Sequence, residues 1–210
     1  MRGTKKTALS TAVLVTASIL ATAASGVAGT WKFLPGGTIH ATEAYTLYVM
    51  ENQTGIVVTC DTVTSSSTAH AGSGLSGDDL LSIDSISFAD SSRSVGCPAS
   101  AGSTAQLTPL HLPWKYQASS YDAGSGKVEG RITGISLRVT NLSDGCVADI
   151  GFPGGIPVTY ENSTGTVVPA ADTGAVIEST NCDRTIANVG DTFTVDGAFM
   201  VNPVQTVTSP

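Results

Sequence analysis

From Gly29 to the C-terminus the chain has no sustained run of apolar residues at the helical period of 3.6; short stretches rich in Val, Ile, Thr and Tyr are cut by Gly, Ser, Asn and Asp. That rhythm is strand-and-turn punctuation: β-branched and aromatic residues suit a pleated surface, and Gly, Asn and Asp supply turn conformations. Strands are predicted over residues 45–50, 55–61, 80–88, 127–140, 156–160, 164–168 and 191–201. In the fourth, Ile135, Leu137 and Val139 share one face while Ser136, Arg138 and Thr140 share the other, as a half-buried antiparallel strand requires. A helical turn is expected only around residues 77–82. The fold class is all-β, most simply an antiparallel β-sandwich, with a closed β-barrel as the alternative.

Two internal echoes sharpen the turn assignments. Glu51-Asn52-Gln53-Thr54-Gly55 and Glu161-Asn162-Ser163-Thr164-Gly165 share E-N-x-T-G-x-V-V at an offset of 110. Each reads as a hairpin whose closing glycine takes the left-handed conformation of a type I turn followed by a G1 bulge. A second echo sets residues 83–88 against 132–137 and carries Gly96-Cys97 onto Gly145-Cys146, at an offset of 49. The two offsets disagree. Duplicated hairpins and convergent turn grammar explain them equally well, and no single repeat period covers the chain.

The N-terminus limits where such a chain can fold. Arg2, Lys5 and Lys6 precede an alanine-rich apolar run over residues 8–24 without an acidic residue, the order of a secretory signal peptide. Cleavage is expected after Ala28, with Ala23 the alternative. Polar interruptions at Thr11, Thr16, Ser18 and Thr22 argue against a retained membrane span. Residues 29–210 are then expected to form one all-β domain, secreted and without stable membrane insertion. Removing three basic residues with the signal leaves seven against 17 acidic ones, a charge of −10. Such a surface opposes binding to phosphate backbones, so nucleic acid is not an expected partner.

Cys60, Cys97, Cys146 and Cys182 all lie beyond the signal, at intervals of 37, 49 and 36 residues. Zinc ligands come as closely spaced pairs, whereas an even count of distant cysteines in an exported chain reads as disulfides. The near-equal outer intervals favour Cys60 with Cys97 and Cys146 with Cys182. The signal, these cysteines, Gly72-Ser73-Gly74-Leu75-Ser76-Gly77, Leu112-Pro113-Trp114 and the polar end Thr208-Ser209-Pro210 together resemble an uncharacterised family of small secreted actinobacterial β-rich proteins. The resemblance spans the whole chain in layout and implies an extracellular β-rich protein. It brings no catalytic residue.

Chemistry is sparse. His40, His70 and His111 are scattered, with neither an H-x-x-x-H pair nor a free thiol beside them. Ser76 lacks the G-x-S-x-G context of a nucleophile elbow. Gly124-Ser125-Gly126-Lys127 lacks the first glycine and the hydroxyl of a phosphate loop and reads as a hairpin turn. Asp78, Asp79 and Asp84 lack the alternate spacing of a calcium loop and read as a solvated loop. No catalytic residue, metal site or cofactor is expected. Trp114 and Tyr116, alternate on one strand face with Tyr121 near, could form a sugar-binding platform or anchor the core. Two function classes stand: a non-catalytic module that binds a glycan, an envelope component or a protein, or a hydrolase whose residues converge only in the fold. A protease inhibitor would need a rigid exposed loop, for which Cys97-Pro98 is the candidate.

Overall fold

The computed structural model describes residues 31–209; the expected signal segment, residues 1–28, with both cleavage sites, lies outside the described residues. In chain order the strands are β1 (Trp31–Leu34), β2 (Gly37–Glu51), β3 (Val57–Cys60), β4 (Thr62–Ala69), β5 (Gly72–Leu75) and β6 (Leu81–Ala89). Then follow β7 (Cys97–Pro98), β8 (Thr104–Leu110), β9 (Trp114–Asp122), β10 (Lys127–Thr133), β11 (Ser136–Asn141) and β12 (Val147–Gly151). The last are β13 (Ile156–Glu161), β14 (Thr166–Pro169), β15 (Asp172–Thr180), β16 (Thr192–Asn202) and β17 (Thr206–Thr208). The expected helical turn is a 3-10 turn, Gly77–Asp79, capped by the Ser76 side chain, which accepts from the Asp78 amide, but a second 3-10 turn, Ser100–Gly102, lies where none was expected.

All-β is the fold, and of the two architectures open from sequence the strand order selects the closed one. β2, β4, β6, β9, β10, β13, β14 and β16 are each hydrogen-bonded to the next, and β16 returns to β2, closing an eight-stranded antiparallel barrel. Closure satisfies the edge groups that an open sheet would present to other chains. β2 and β16 are long enough to serve a second ring. The first half of β2 pairs with β4, while Leu47 to Met50 pair with β3; β16 pairs first with β15 and later with β14. Between the halves, register shifts around Ala198 bulge the β2–β16 ladder, and a bulge bends a strand.

The second ring runs β2, β3, β7, β8, β11, β12, β15 and β16, and its weak point is the β3–β7 seam. Only the Val58–Ala99 bridge joins the two there by backbone pairing. The Cys60–Cys97 disulfide, S–S 2.03 Å, ties the end of β3 to the start of β7 at that seam. Ser100 adds to it: its Oγ accepts from the Val57 amide at 2.8 Å. The Cys146–Cys182 disulfide, S–S 2.08 Å, instead lies just beyond the end of a β12–β15 ladder that pairs at four positions with one bulge. Both pairings are the expected ones, and two disulfides belong to an oxidising, non-cytoplasmic environment.

Four turns share one construction, which joins the E-N-x-T-G echoes to two segments that lack that motif. The amide of Gly55 donates to the Glu51 carbonyl, Gly126 to Asp122, Gly145 to Asn141 and Gly165 to Glu161, all at 2.8 to 3.0 Å. The four glycines have φ between 71° and 75°. The side chain that opens each turn accepts from within it: Glu51 from the Gln53 amide, Asp122 from the Gly124 amide, Asn141 from the Ser143 amide and Glu161 from the Ser163 hydroxyl. The echoed asparagines dock the hairpins. Asn52 bonds to Thr192 and Thr194 of β16, and Asn162 to Gly126 and to both backbone groups of Val207 in β17.

Two expectations on elements need correction. Residues 127–140 form two strands, because Gly134, at φ 76°, turns the chain between β10 and β11. The second echo therefore has no structural counterpart, since residues 83–88 lie within β6 alone. β4, whose sequence is T-V-T-S-S-S-T-A, was invisible as a strand: its inward positions include Ser67 with Val63 and Ala69, and its outward Thr64 and Thr68 are exposed. The small sheet β17-β1-β5 packs Trp31, Phe33 and Val207 against the inward Ile39, Val128 and Val158 of the barrel.

Candidate functional site: an apolar cavity inside the barrel

Inward alternation along the strands leaves a cavity of about 200 Å³ in the middle of the molecule. It runs from Phe33 and Val207 under the small sheet, past Tyr116, to Leu107 and Ile150 of the second ring. Its lining side chains are hydrocarbon apart from Ser65, Ser67, Trp114, Tyr116, Tyr160 and Gln205, and no charged side chain or histidine is among them; Tyr116 lines it with its ring, the hydroxyl being closed off from the space. An apolar cavity of about 150 Å³ stays dry and takes up benzene, so a space of this size holds a small ligand.

Tyr116 is the polar group that the fold leaves unsatisfied. It is only 8% exposed, and its hydroxyl has no hydrogen-bond partner among the described residues. Burial, with the nearby Glu129 and Tyr160 charges, pushes its phenol well above the ordinary value, so the hydroxyl stays protonated. Gly130 makes room for the ring: a Cβ there would lie 2.7 Å from Tyr116 Cε2 and 2.4 Å from the Gln117 carbonyl oxygen. Tyr160 contrasts with it. Its hydroxyl donates to the Gln205 carbonyl at 2.7 Å and accepts from the Gln205 amide at 2.9 Å. Gln205, 1% exposed, in turn accepts from the Gly36 amide and donates to the Pro203 carbonyl, pinning the loop before β17 to the loop after β1.

The sequence candidates for an aromatic platform are placed otherwise. Trp114 is 4% exposed, and its indole donates to the Leu110 carbonyl at 3.0 Å. Tyr116 is buried beside it in the strand, and Tyr121 is partly buried against the core under the small sheet. The exposed platform from these three is not formed, because the pairing of β9 with β6 and β10 turns their face inward. Exposed aromatics lie instead on β2, where Tyr45 is 72% and Tyr48 48% exposed at and just beyond the bulge. Sequence patterning missed them, since bulge positions break the alternation that assigns faces.

Ionisable residues are dispersed over the outside. His40 lies on the outer side of β2, and His70 and His111 are exposed in loops, the latter at φ 56°. Asp79 pairs with Lys115 at 3.2 Å, Asp84 accepts from Thr68 at 2.7 Å, and Asp78 accepts from Ser76. Asp149, on β12, receives both guanidinium donors of Arg138 on β11, at 2.7 and 2.9 Å, and the Ser179 hydroxyl; these bonds hold its carboxyl below the usual range. Ser179 thus donates to a carboxylate that Arg138 already pairs, and the His111 charge is near enough to add to the lowering. Cys97-Pro98 itself is a paired strand against β8 with Cys97 fully buried, and the exposed part of the segment around it is the loop over residues 91–95. No group of three His, Cys, Asp or Glu among the described residues is placed to hold a metal ion, and no helix among them is long and apolar enough to cross a membrane. No protein-family model, curated protein or solved structure matches the chain.

Proposed function

We propose that the chain is a secreted, non-catalytic β-barrel that holds a small apolar molecule in its interior, as a binding module of the extracellular space or cell envelope. The cavity carries this reading: about 200 Å³ lined by apolar side chains within a closed sheet. Interiors are normally packed with few voids larger than a water molecule, so a space this large is a departure that a ligand explains. Lys127, Glu129 and Arg131 on the outer face of β10 and Val128 and Ile132 within are the pattern of a water-facing barrel, the reverse of a membrane barrel's outer band. The signal-like N-terminus and the two disulfides support export.

The test is uptake of small aromatics by the purified protein, followed by thermal unfolding. A ligand at a hundred times its Kd stabilises the native state by about 2.7 kcal/mol, which raises the midpoint by several degrees. Ser67→Leu, which fills the cavity from β4, should abolish that rise while the variant stays folded. A rise that survives Ser67→Leu would place uptake elsewhere and sink the proposal.

A second reading rests on Tyr45 and Tyr48, exposed side chains that suit stacking on a sugar ring. Retention on polysaccharide or cell-wall material that is lost in Tyr45→Ala/Tyr48→Ala would support a glycan-binding face.

A further inference from the structure

We infer that the molecule held in the cavity is a neutral, compact alcohol or phenol, whose one hydroxyl meets those of Ser65 and Ser67 on β4 while its hydrocarbon part fills the remaining space. This rests on the reading of the cavity as a binding site. Size sets the first limit: about 150 Å³ accommodates the six carbons of benzene, so about 200 Å³ suits about eight to ten heavy atoms. Wall chemistry sets the second. With no charged side chain along the cavity, a carboxylate, phosphate or ammonium would be desolvated without a counter-charge, which excludes ionised ligands.

The third limit comes from two serines at inward positions. Ser65 and Ser67 alternate along β4 and both line the cavity, Ser67 being 5% exposed. Their side-chain neighbours across both ladders are hydrocarbon: Ser65 lies between Ala41 of β2 and Ile86 of β6, and Ser67 between Ile39 and Ile83. Neither hydroxyl has a hydrogen-bond partner among the described residues, and neither is closed off from the space as that of Tyr116 is. Alanine would leave the same room with no hydroxyl to desolvate, so two serines here are unfavourable unless something in the cavity bonds to them. Water is the poorer match, because a buried water makes two to four hydrogen bonds and the walls around these two hydroxyls are hydrocarbon. A serine hydroxyl both donates and accepts. A ligand hydroxyl answers both capacities, whereas a ketone or ester oxygen answers the donor alone.

A matched pair of probes separates this inference from the cavity reading itself: 5-indanol and indane share a bicyclic skeleton and differ by one hydroxyl. In titration calorimetry, Ser65→Ala/Ser67→Ala should bind 5-indanol about tenfold more weakly than the wild type does, the loss of a hydrogen bond, and should bind indane as tightly. The thermal midpoint of the unliganded protein should not fall in this variant, since the hydroxyls it removes bond to nothing in the fold; a fall would overturn the inference by showing that they do. Nuclear Overhauser contacts should run from bound 5-indanol to the β-protons of Ser65 and Ser67. An unchanged affinity for 5-indanol, or an equal loss for both probes, would overturn the role of the serines while leaving the cavity as a binding site. Failure of both probes to bind the wild type would overturn the cavity reading as well. Should the double variant not fold, the wild-type contacts decide: bound 5-indanol that touches neither serine refutes the assignment.

Discussion

Gly55 and Gly165 occupy the same place in the two echoed hairpins, yet they differ in what surrounds them. Both have positive φ, at 73° and 71°, the conformation expected from E-N-x-T-G alone. A Cβ on Gly55 would meet nothing within 4 Å, whereas on Gly165 it would lie 2.9 Å from Val204 Cγ2 and 3.1 Å from the Val201 carbonyl oxygen. Gly55→Ala should therefore cost about 1 kcal/mol, the backbone effect alone, and Gly165→Ala about 2 kcal/mol or more, measured by denaturant unfolding. Equal losses would mean that the packing around Val204 yields freely. These turns were legible because everything that determines them lies within five residues. Trp114 and Tyr116 were legible only halfway: their alternation places them on one face, but whether that face is inward depends on Leu81 and Ile83 opposite them on β6, more than thirty residues away. The unpartnered hydroxyl of Tyr116 is further from sequence still, since it follows from the absence of a neighbour.

At the scale of strands the two disulfides do different work. Each closes a loop whose cysteines are 37 or 36 residues apart, so chain entropy alone assigns about 4 kcal/mol to either. Cys146–Cys182 flanks a β12–β15 ladder that pairs without it, whereas Cys60–Cys97 crosses a seam with one backbone bridge. Cys60→Ala/Cys97→Ala should therefore lower global stability and also open β3 and β7 selectively in native-state hydrogen exchange. Cys146→Ala/Cys182→Ala should lower stability with no such local opening. Uniform exchange in both variants would argue that the seam is held by packing rather than by the bond. The pairing itself was readable from the matched intervals, but the seam was not, because β7 is two residues long and carries no strand signal. β4 escaped for a different reason. Its inner face carries Ser65 and Ser67 beside the cavity, where larger side chains would fill the space, so the apolar alternation that marks a strand is missing where the candidate site needs room.

Ring closure is the least local property of the molecule, and patterning along the chain does not encode it: β2 and β16, whose pairing joins both rings, are separated by most of the chain. What the closed form does imply is a stability plateau bounded by two sets of groups. On the acid side, hydrogen bonds from turn hydroxyls and amides lower the carboxyl pKa of Asp61, Asp122 and Asp183, and the Arg138 guanidinium does the same for Asp149. A folded-state pKa below the unfolded value of about 3.9 contributes stability that is complete above that pH and is lost as pH falls through the folded values. On the alkaline side, burial raises the phenol pKa of Tyr116 and Tyr160. Their contribution is complete below the unfolded value of about 10 and is lost as pH rises above it, because the unfolded chain releases protons that the folded barrel retains. The thermal midpoint should accordingly be level between about pH 5 and 9 with respect to these groups and decline on both sides. Asp149→Asn should soften the acid limb alone, and Tyr116→Phe the alkaline limb alone. An alkaline limb unchanged in Tyr116→Phe would show that the phenol reaches water in the native state.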